Sequence, residues 1–364
     1  MRRSFTALGR RGWMVIGLVG ALSCIGLINL ESTAHAVGGS PHLSQLNWLV
    51  LGGIVAGLIA IFDYRELQRF VPLIYGACVL ALIAVLVMGK EVNGSRRWLN
   101  LGVAAFQPSE FAKLGVIVVL ADWLRRMPRP SGYTLRDLGP VALLMGVPMF
   151  LVLQEPDLGQ TLMMGFIGGT MMLYERFERR TLVILLLVGL VAVPVAWTFV
   201  LRDYQKDRIL TLLDGQSDIH GAGWHARQAR VAVGSGGLLG KGHHGGTQVA
   251  GGFLPETHTD FVFAHWSEEH GFAGASLVLI LFLALILVAL SIADTARDRF
   301  GRFAAVGVSA LIFWHVVMNV GMVLTLLPVT GVTLPLMSYG GSSVLTVMCA
   351  IGLLLNINLR RTGF

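Results

Sequence analysis

The run FLPETHTDFVFAHWSEEHG at residues 253–271 sets Glu256, His258, Asp260, Glu268 and Glu269 directly before a long apolar segment. Carboxylates in a partly dry setting can be tuned as general acids or bases. Three more polar groups stand in equally apolar surroundings. FQPSEFAKLG (106–115) places Glu110 and Lys113 three residues apart, on one face of a helix that Pro108 would open. QEPDLGQ (154–160) puts Asp157 at a helix start behind Pro156, and TLPLMSYGGSS (333–343) sets Ser338, Gly340 and Gly341 before the last apolar run. A charge in hydrocarbon costs several kcal/mol, so such residues are expected to face a cavity and to be functional.

Plainer uses exist for each group. Glu110 and Lys113 suit an ion pair bracing a bundle, Asp157 and Glu155 suit helix caps, and SYGGSS suits a turn. Asp260 resists that treatment, because a cap does not require the acids and histidines around it. A zinc site from His258, His265, Glu268 and His270 is disfavoured, since HWSEEH is neither HExxH nor HxxEH. GSGGLLGKG (234–242) is not a nucleotide loop: Ser235 stands where the first glycine belongs and Gly242 where a hydroxyl belongs, so no nucleotide is expected. His315 and Asn319, four apart, share a helix face and suit interhelical hydrogen bonds.

The elements that must position these groups are membrane spans. Hydrophobic residues make up 54% of the 364, charged residues 13%, and mean hydropathy is +0.69, well outside soluble composition. Ten stretches are long enough, or nearly so, to cross as helices: 13–30, 47–63, 71–89, 108–124, 138–153, 158–174, 182–200, 272–293, 302–327 and 342–358. Arginines gather in alternate connections, at Arg10 and Arg11, Arg65 and Arg69, Arg125 to Arg136, Arg176 to Arg180, Arg297 to Arg302, and Arg360 and Arg361. That bias places both termini in the cytoplasm and makes the +7 charge a topology signal, so no nucleic acid is expected. Cys24, Cys78 and Cys349 lie in apolar runs and form no disulfide framework. The N-terminus, with AHA at 34–36, looks like a secretory signal, but its apolar run is long and reads as an uncleaved first span. Residues 201–271 are too long for a connector. Within them DRILTLLDG and GWHARQARVAVGSG read as short amphipathic helices on the membrane surface. The expectation is an all-α polytopic membrane protein, a single transmembrane domain over 1–364. It has ten transmembrane helices and a large extracellular loop, 201–271, between helices 7 and 8.

GSRRWLNLG with FQPSEFAKL, QEPDLGQ, GSGGLLGKG with GTQ and FLPETHTDFVFA, and LPVTGVTLPLMSYGGSS resemble, in order, the motifs of the SEDS family (shape, elongation, division and sporulation). The loop motifs are closer to its elongation branch, and TLPLMSYGGSS to its division branch. The resemblance implies a peptidoglycan glycosyltransferase that polymerises lipid II, an undecaprenyl pyrophosphate-linked disaccharide-pentapeptide, in cell-wall elongation and shape maintenance. It implies an essential Asp260, with Glu110, Lys113 and Asp157 as further functional positions. It also implies a bacterial cytoplasmic membrane location, an active site on the outer face, and a class B penicillin-binding transpeptidase partner at spans eight and nine.

Outside the cell a donor must carry its own leaving group, and a lipid pyrophosphate does. Asp260 would deprotonate the acceptor hydroxyl. Arg96, Arg97 or Lys113 would neutralise the departing pyrophosphate, alone or with a divalent cation, Mg or Mn, held at Asp157. Backbone N–H groups at Gly340 and Gly341, beside Ser338, would meet phosphate or sugar. Two other classes compete. A lipid II flippase needs polar groups along a path through the bilayer, and a non-enzymatic scaffold would tolerate Asp260→Ala.

Overall fold

The computed structural model describes residues 8–92, 95–100, 102, 105–201, 205–206, 209–210, 222–254 and 256–361. Its helices are α1 (Gly9–Val37), α2 (Pro41–Ile61), α3 (Tyr64–Met88), α4 (Pro108–Arg126), α5 (Leu138–Gln154), α6 (Leu158–Leu173), α7 (Arg179–Val195), α8 (Ala222–Ser235), α9 (Thr247–Ala250), α10 (Val262–Asp294), α11 (Arg299–Val323) and α12 (Gly341–Leu359). Local chemistry sets their starts. Pro41 and Pro108 open α2 and α4, where a missing N–H costs nothing. Asp63, Asp157 and Asp298 cap α3, α6 and α11, each accepting a backbone N–H of the first turn.

Eight of the described helices are long and apolar enough to cross a membrane, which makes the chain an integral membrane protein. Two expected spans fall outside that set. α6 has only 16 residues, and α4 carries Glu110, Lys113, Asp122, Arg125 and Arg126. Both are nevertheless enclosed by protein. α4, α11 and α12 form the centre, buried at most of their positions, whereas α7 buries only Thr181. α12 packs on α2, α11 on α4 and α6, and α10 on α11 and α1. Small residues allow the close crossings: a Cβ at Gly352 would stand 2.7 Å from the Ala56 carbonyl oxygen, and one at Gly307 would stand 2.5 Å from Ile117 Cγ2.

Between α3 and α4 the described residues form a three-stranded antiparallel sheet, β1 (Lys90–Val92), β2 (Ser95–Asn100) and β3 (Ala105–Phe106). α1 runs unbroken through the AHA that resembled a cleavage site. α8 confirms one of the two helices read in the 201–271 segment. It packs against α10 and α11, burying Ala229 and Ala232. DRILTLLDG falls largely outside the described residues.

The glycine-rich segment 236–242 has a definite use. α10 breaks at Gly271, whose φ of 63° and ψ of −163° separate a short N-terminal half from the long span. The segment lies against that break, with Phe272 N donating to Gly237 O at 2.8 Å and Gly242 N to Glu269 O at 3.0 Å. A Cβ at Gly240 would stand 2.0 Å from Glu269 O. The glycines serve a backbone-to-backbone approach.

Gly26 shows how tightly the outer turn is seated on α1. A Cβ there would come within 2.7 Å of Leu336 O and Met337 Cα. Gly26→Val is expected to cost about 1–3 kcal/mol by overpacking, read as a lower unfolding midpoint in detergent.

Candidate active site

The first turn of α4 delivers Glu110, and the next turn delivers Lys113, both excluded from solvent. Lys113 Nζ donates to Glu110 Oε1 at 2.9 Å and contacts His315 Nε2 at 2.9 Å. On the other side of its ring, His315 Nδ1 donates to Thr333 O at 2.9 Å. That pattern assigns a neutral imidazole whose Nε2 lone pair receives the ammonium proton. Gln160, from the first turn of α6, donates to the same Glu110 oxygen at 2.7 Å. Three helices thus meet at one ion pair.

One turn beyond His315, Asn319 Nδ2 donates to Val332 O at 2.8 Å and to Asp260 O at 2.9 Å. The Asp260 backbone is therefore fixed to the same 331–333 stretch that His315 holds. Asp260 itself is half-buried. Its Oδ2 lies 3.4 Å from where a Cβ on Gly331 would stand, an ordinary contact distance that sets the carboxylate beside this stretch. Through α11 the Asp260 backbone, the 331–333 stretch and the Lys113–Glu110 pair are joined in one chain of contacts.

The α5–α6 hairpin supplies a second charged layer. Arg97 Nη1 lies 3.6 Å from Asp157 Oδ2, while its Nε and Nη2 donate to the carbonyls of Glu155 and Pro156 at 3.2 and 2.5 Å. Asp157 Oδ1 accepts Gln160 N at 3.2 Å, the capping role, and Pro156 sits in the turn and not inside the helix. Burial pushes the Glu155 carboxyl up to about 8, helped by the nearby Asp157 charge and opposed by Arg97. Burial also raises Asp157, again against Arg97. A cavity of about 90 Å³ opens here, lined by Arg97, Asp157, Gly159, Gln205 and Thr330. Arg96, next to Arg97 on β2, is exposed, as strand alternation requires.

A divalent cation at Asp157 finds a poor donor set. One oxygen is committed to the α6 cap and the other faces a guanidinium, so a second cation there would meet repulsion.

Other expected residues have structural uses. Ser338 is buried and its Oγ accepts Leu334 N at 2.8 Å. Gly340 N donates to Gln45 Oε1 at 3.3 Å, and a Cβ at Gly341 would collide with the Trp48 ring. These residues shape the turn that holds Thr333. Glu268 and Glu269 are not beside Asp260 in function: Glu268 Oε1 receives Lys241 Nζ at 2.5 Å and Thr247 N at 2.9 Å, and Glu269 Oε1 receives Ser32 Oγ at 2.5 Å. His258 packs on Tyr339 and His270 stacks on Trp266. Gln160 and Gln45 were not singled out from sequence. Gln160 closes the quoted QEPDLGQ motif, which was its one available signal; Gln45 had none.

Comparison with known proteins supplies the relatives. The family profile described as FTSW_RODA_SPOVE, Cell cycle protein, matches residues 8–363. Peptidoglycan glycosyltransferase MrdB of Escherichia coli strain K12 is 37% identical over 317 residues, covering 87% of this chain and 85% of its own. A chain solved in a study of the structural coordination of polymerization and crosslinking by a peptidoglycan synthase complex superposes with a TM-score of 0.83 at 33% identity, covering 97% of this chain and 98% of that one. The rod shape determining protein RodA of Thermus thermophilus gives 0.72 at 32% identity, with the same coverage.

Glu110→Gln leaves the Lys113 ammonium buried without its counter-charge, and is expected to cost about 3–5 kcal/mol, measured by thermal or denaturant unfolding in detergent. A second outcome concerns pH. The Glu155 carboxyl stands at about 8 against an ordinary 4.5, so the folded state binds the extra proton between those values. Stability therefore falls as pH rises from about 4.5 through about 8. Glu155→Gln should flatten that slope in unfolding midpoints taken across the window.

Proposed function

Because this chain belongs to the FtsW, RodA and SpoVE family of cell cycle proteins, we propose the following reading of its site. The protein is a peptidoglycan glycosyltransferase of the rod-shape type, as its relatives are named. It joins lipid II units into glycan strands at the outer face of the bacterial cytoplasmic membrane. α4 and α6 complete ten spans, with both termini inside and residues 201–271 outside. A crosslinking transpeptidase is the partner, a reading supported by the synthase complex that holds the similar chain.

The observation that carries this reading is the placement of Asp260. Its carboxylate is half-exposed, and its backbone carbonyl is tied by Asn319 to a loop anchored on the buried Lys113 pair. A base must reach both substrate and a proton sink, and Glu110 is too enclosed to do so. Asp260 takes the proton of the acceptor hydroxyl as that oxygen attacks the anomeric carbon of the donor. The bond from that carbon to the phosphate oxygen breaks, and the lipid pyrophosphate leaves with the electron pair. Arg97, facing the cavity, offsets the charge that develops there. Lys113 has no solvent contact and acts by holding His315 and Glu110 in place. Where a divalent cation assists, it would supply further charge neutralisation on the pyrophosphate.

Labelled lipid II supplied to the purified protein with its transpeptidase partner should give polymer on a gel. Asp260→Ala should lower the rate about 10²–10⁴-fold, the usual weight of a general base, with the unfolding midpoint unchanged. Equal polymer from the two proteins would remove Asp260 from the chemistry and favour a scaffold.

A further inference from the structure

The glycine-rich segment ends in His243 and His244, and both imidazoles reach back across the fold to α1. Nε2 of each lies 3.1 Å from the same oxygen, Glu31 Oε2. One ligand atom from each residue lies within 4.8 Å of the others, and among the described residues this is the group of histidines and acids so arranged. His35, one turn along α1 from Glu31, stacks on His244 with ring centroids 4.3 Å apart.

A second observation lies behind the first. Glu269 is buried, its Oε1 takes the Ser32 hydroxyl, and its Oε2 has no hydrogen-bond partner. That oxygen points at His243, 3.6 Å from Nδ1. His243 therefore stands between two carboxylates, Glu269 on its Nδ1 side and Glu31 on its Nε2 side. A neutral imidazole has one N–H and can serve only one of them. With the proton on Nδ1, facing Glu269, Nε2 presents a lone pair to Glu31. A cation between Nε2 and Glu31 Oε2 resolves that opposition.

We propose that Glu31, His243 and His244 bind one divalent transition metal of the zinc class, with Glu269 orienting His243, and that the metal fastens the glycine-rich segment to the outer end of α1. Two imidazoles and a carboxylate are the donor set of zinc sites and not of magnesium or calcium sites. Zinc bonds to nitrogen and oxygen run about 2.0–2.2 Å, giving tetrahedral edges of roughly 3.3–3.6 Å, so the 3.1 Å separations need little movement. A buried carboxylate behind a ligating histidine is the usual outer partner that fixes ring and tautomer. The fourth position opens to solvent, since both histidines are exposed. The pinned segment is the one seated on the Gly271 break of α10, so the metal would lock the N-terminal half of α10 against α1. The site shares no residue with the Asp260 cluster, and the inference stands apart from the polymerase reading.

The test uses the full chain in detergent, without a histidine tag, stripped with chelator and titrated with zinc chloride against a chromophoric competitor. One zinc per chain should bind, and it should raise the unfolding midpoint. Co(II) in its place should show the visible bands of a tetrahedral ion. H243A/H244A, on an exposed turn, should lose the stoichiometric zinc and the zinc-dependent rise in midpoint. Glu269→Gln should weaken affinity about 10–100-fold with stoichiometry kept. Absence of stoichiometric zinc in the wild type, or equal affinity in H243A/H244A, overturns the proposal.

Discussion

The rest of the site depends on an ammonium group with no water around it. Lys113 is fully enclosed, and nothing in an apolar bundle tolerates that charge except a partner of opposite sign and a second acceptor. Glu110 provides the first and His315 the second. Each comes with a consequence. Glu110 draws Gln160 and the start of α6 inward, and His315 fixes α11 in rotation and draws the Thr333 carbonyl onto its far nitrogen. Shifting α4 or α11 by one residue would strand a charge in hydrocarbon, so the pair sets the register of three helices.

From that anchor outward the carboxylates diverge. Glu110 is neutralised at the core. Glu155 is buried with both oxygens unpartnered, which favours its protonated form. Asp157 is held between the α6 cap and Arg97. Asp260, reached through Asn319 and the 331–333 stretch, is the one left half-exposed. Environment, not residue type, assigns these four different work.

Much of this was legible in the sequence because the signals are local. Hydropathy marks spans, i and i+3 spacing puts Glu110 over Lys113, and Asp behind Leu-Gly-Gln marks a cap. What stayed hidden depends on tertiary partners. The strands at 90–106 are short and carry weak alternation, and only once β2 is known does Arg97 separate from Arg96. SYGGSS offers backbone N–H groups on paper, but Gln45 on a distant helix takes the one at Gly340. Glu268 and Glu269 sit eight and nine residues from Asp260 in sequence, yet serve the segment that packs across α10. Four of the six described glycines in 236–246 were needed to explain nothing chemical: at Gly236, Gly240, Gly245 and Gly246 a Cβ would crowd a neighbour.

The geometry also says which parts can yield to a substrate. A cavity of about 90 Å³ holds a few waters, far below the several hundred Å³ of a usual ligand pocket, so a sugar-phosphate donor must widen it. The floor cannot move, because displacing Asp157 or Gly159 would drag α6 and Gln160 off the buried pair. Gln205, Ile209 and the Pro328–Thr330 stretch complete the lining. Widening that leaves the buried pair in place therefore has to come from the rest of the lining. Asp260 stands beside that stretch, its backbone carbonyl held by Asn319 together with that of Val332.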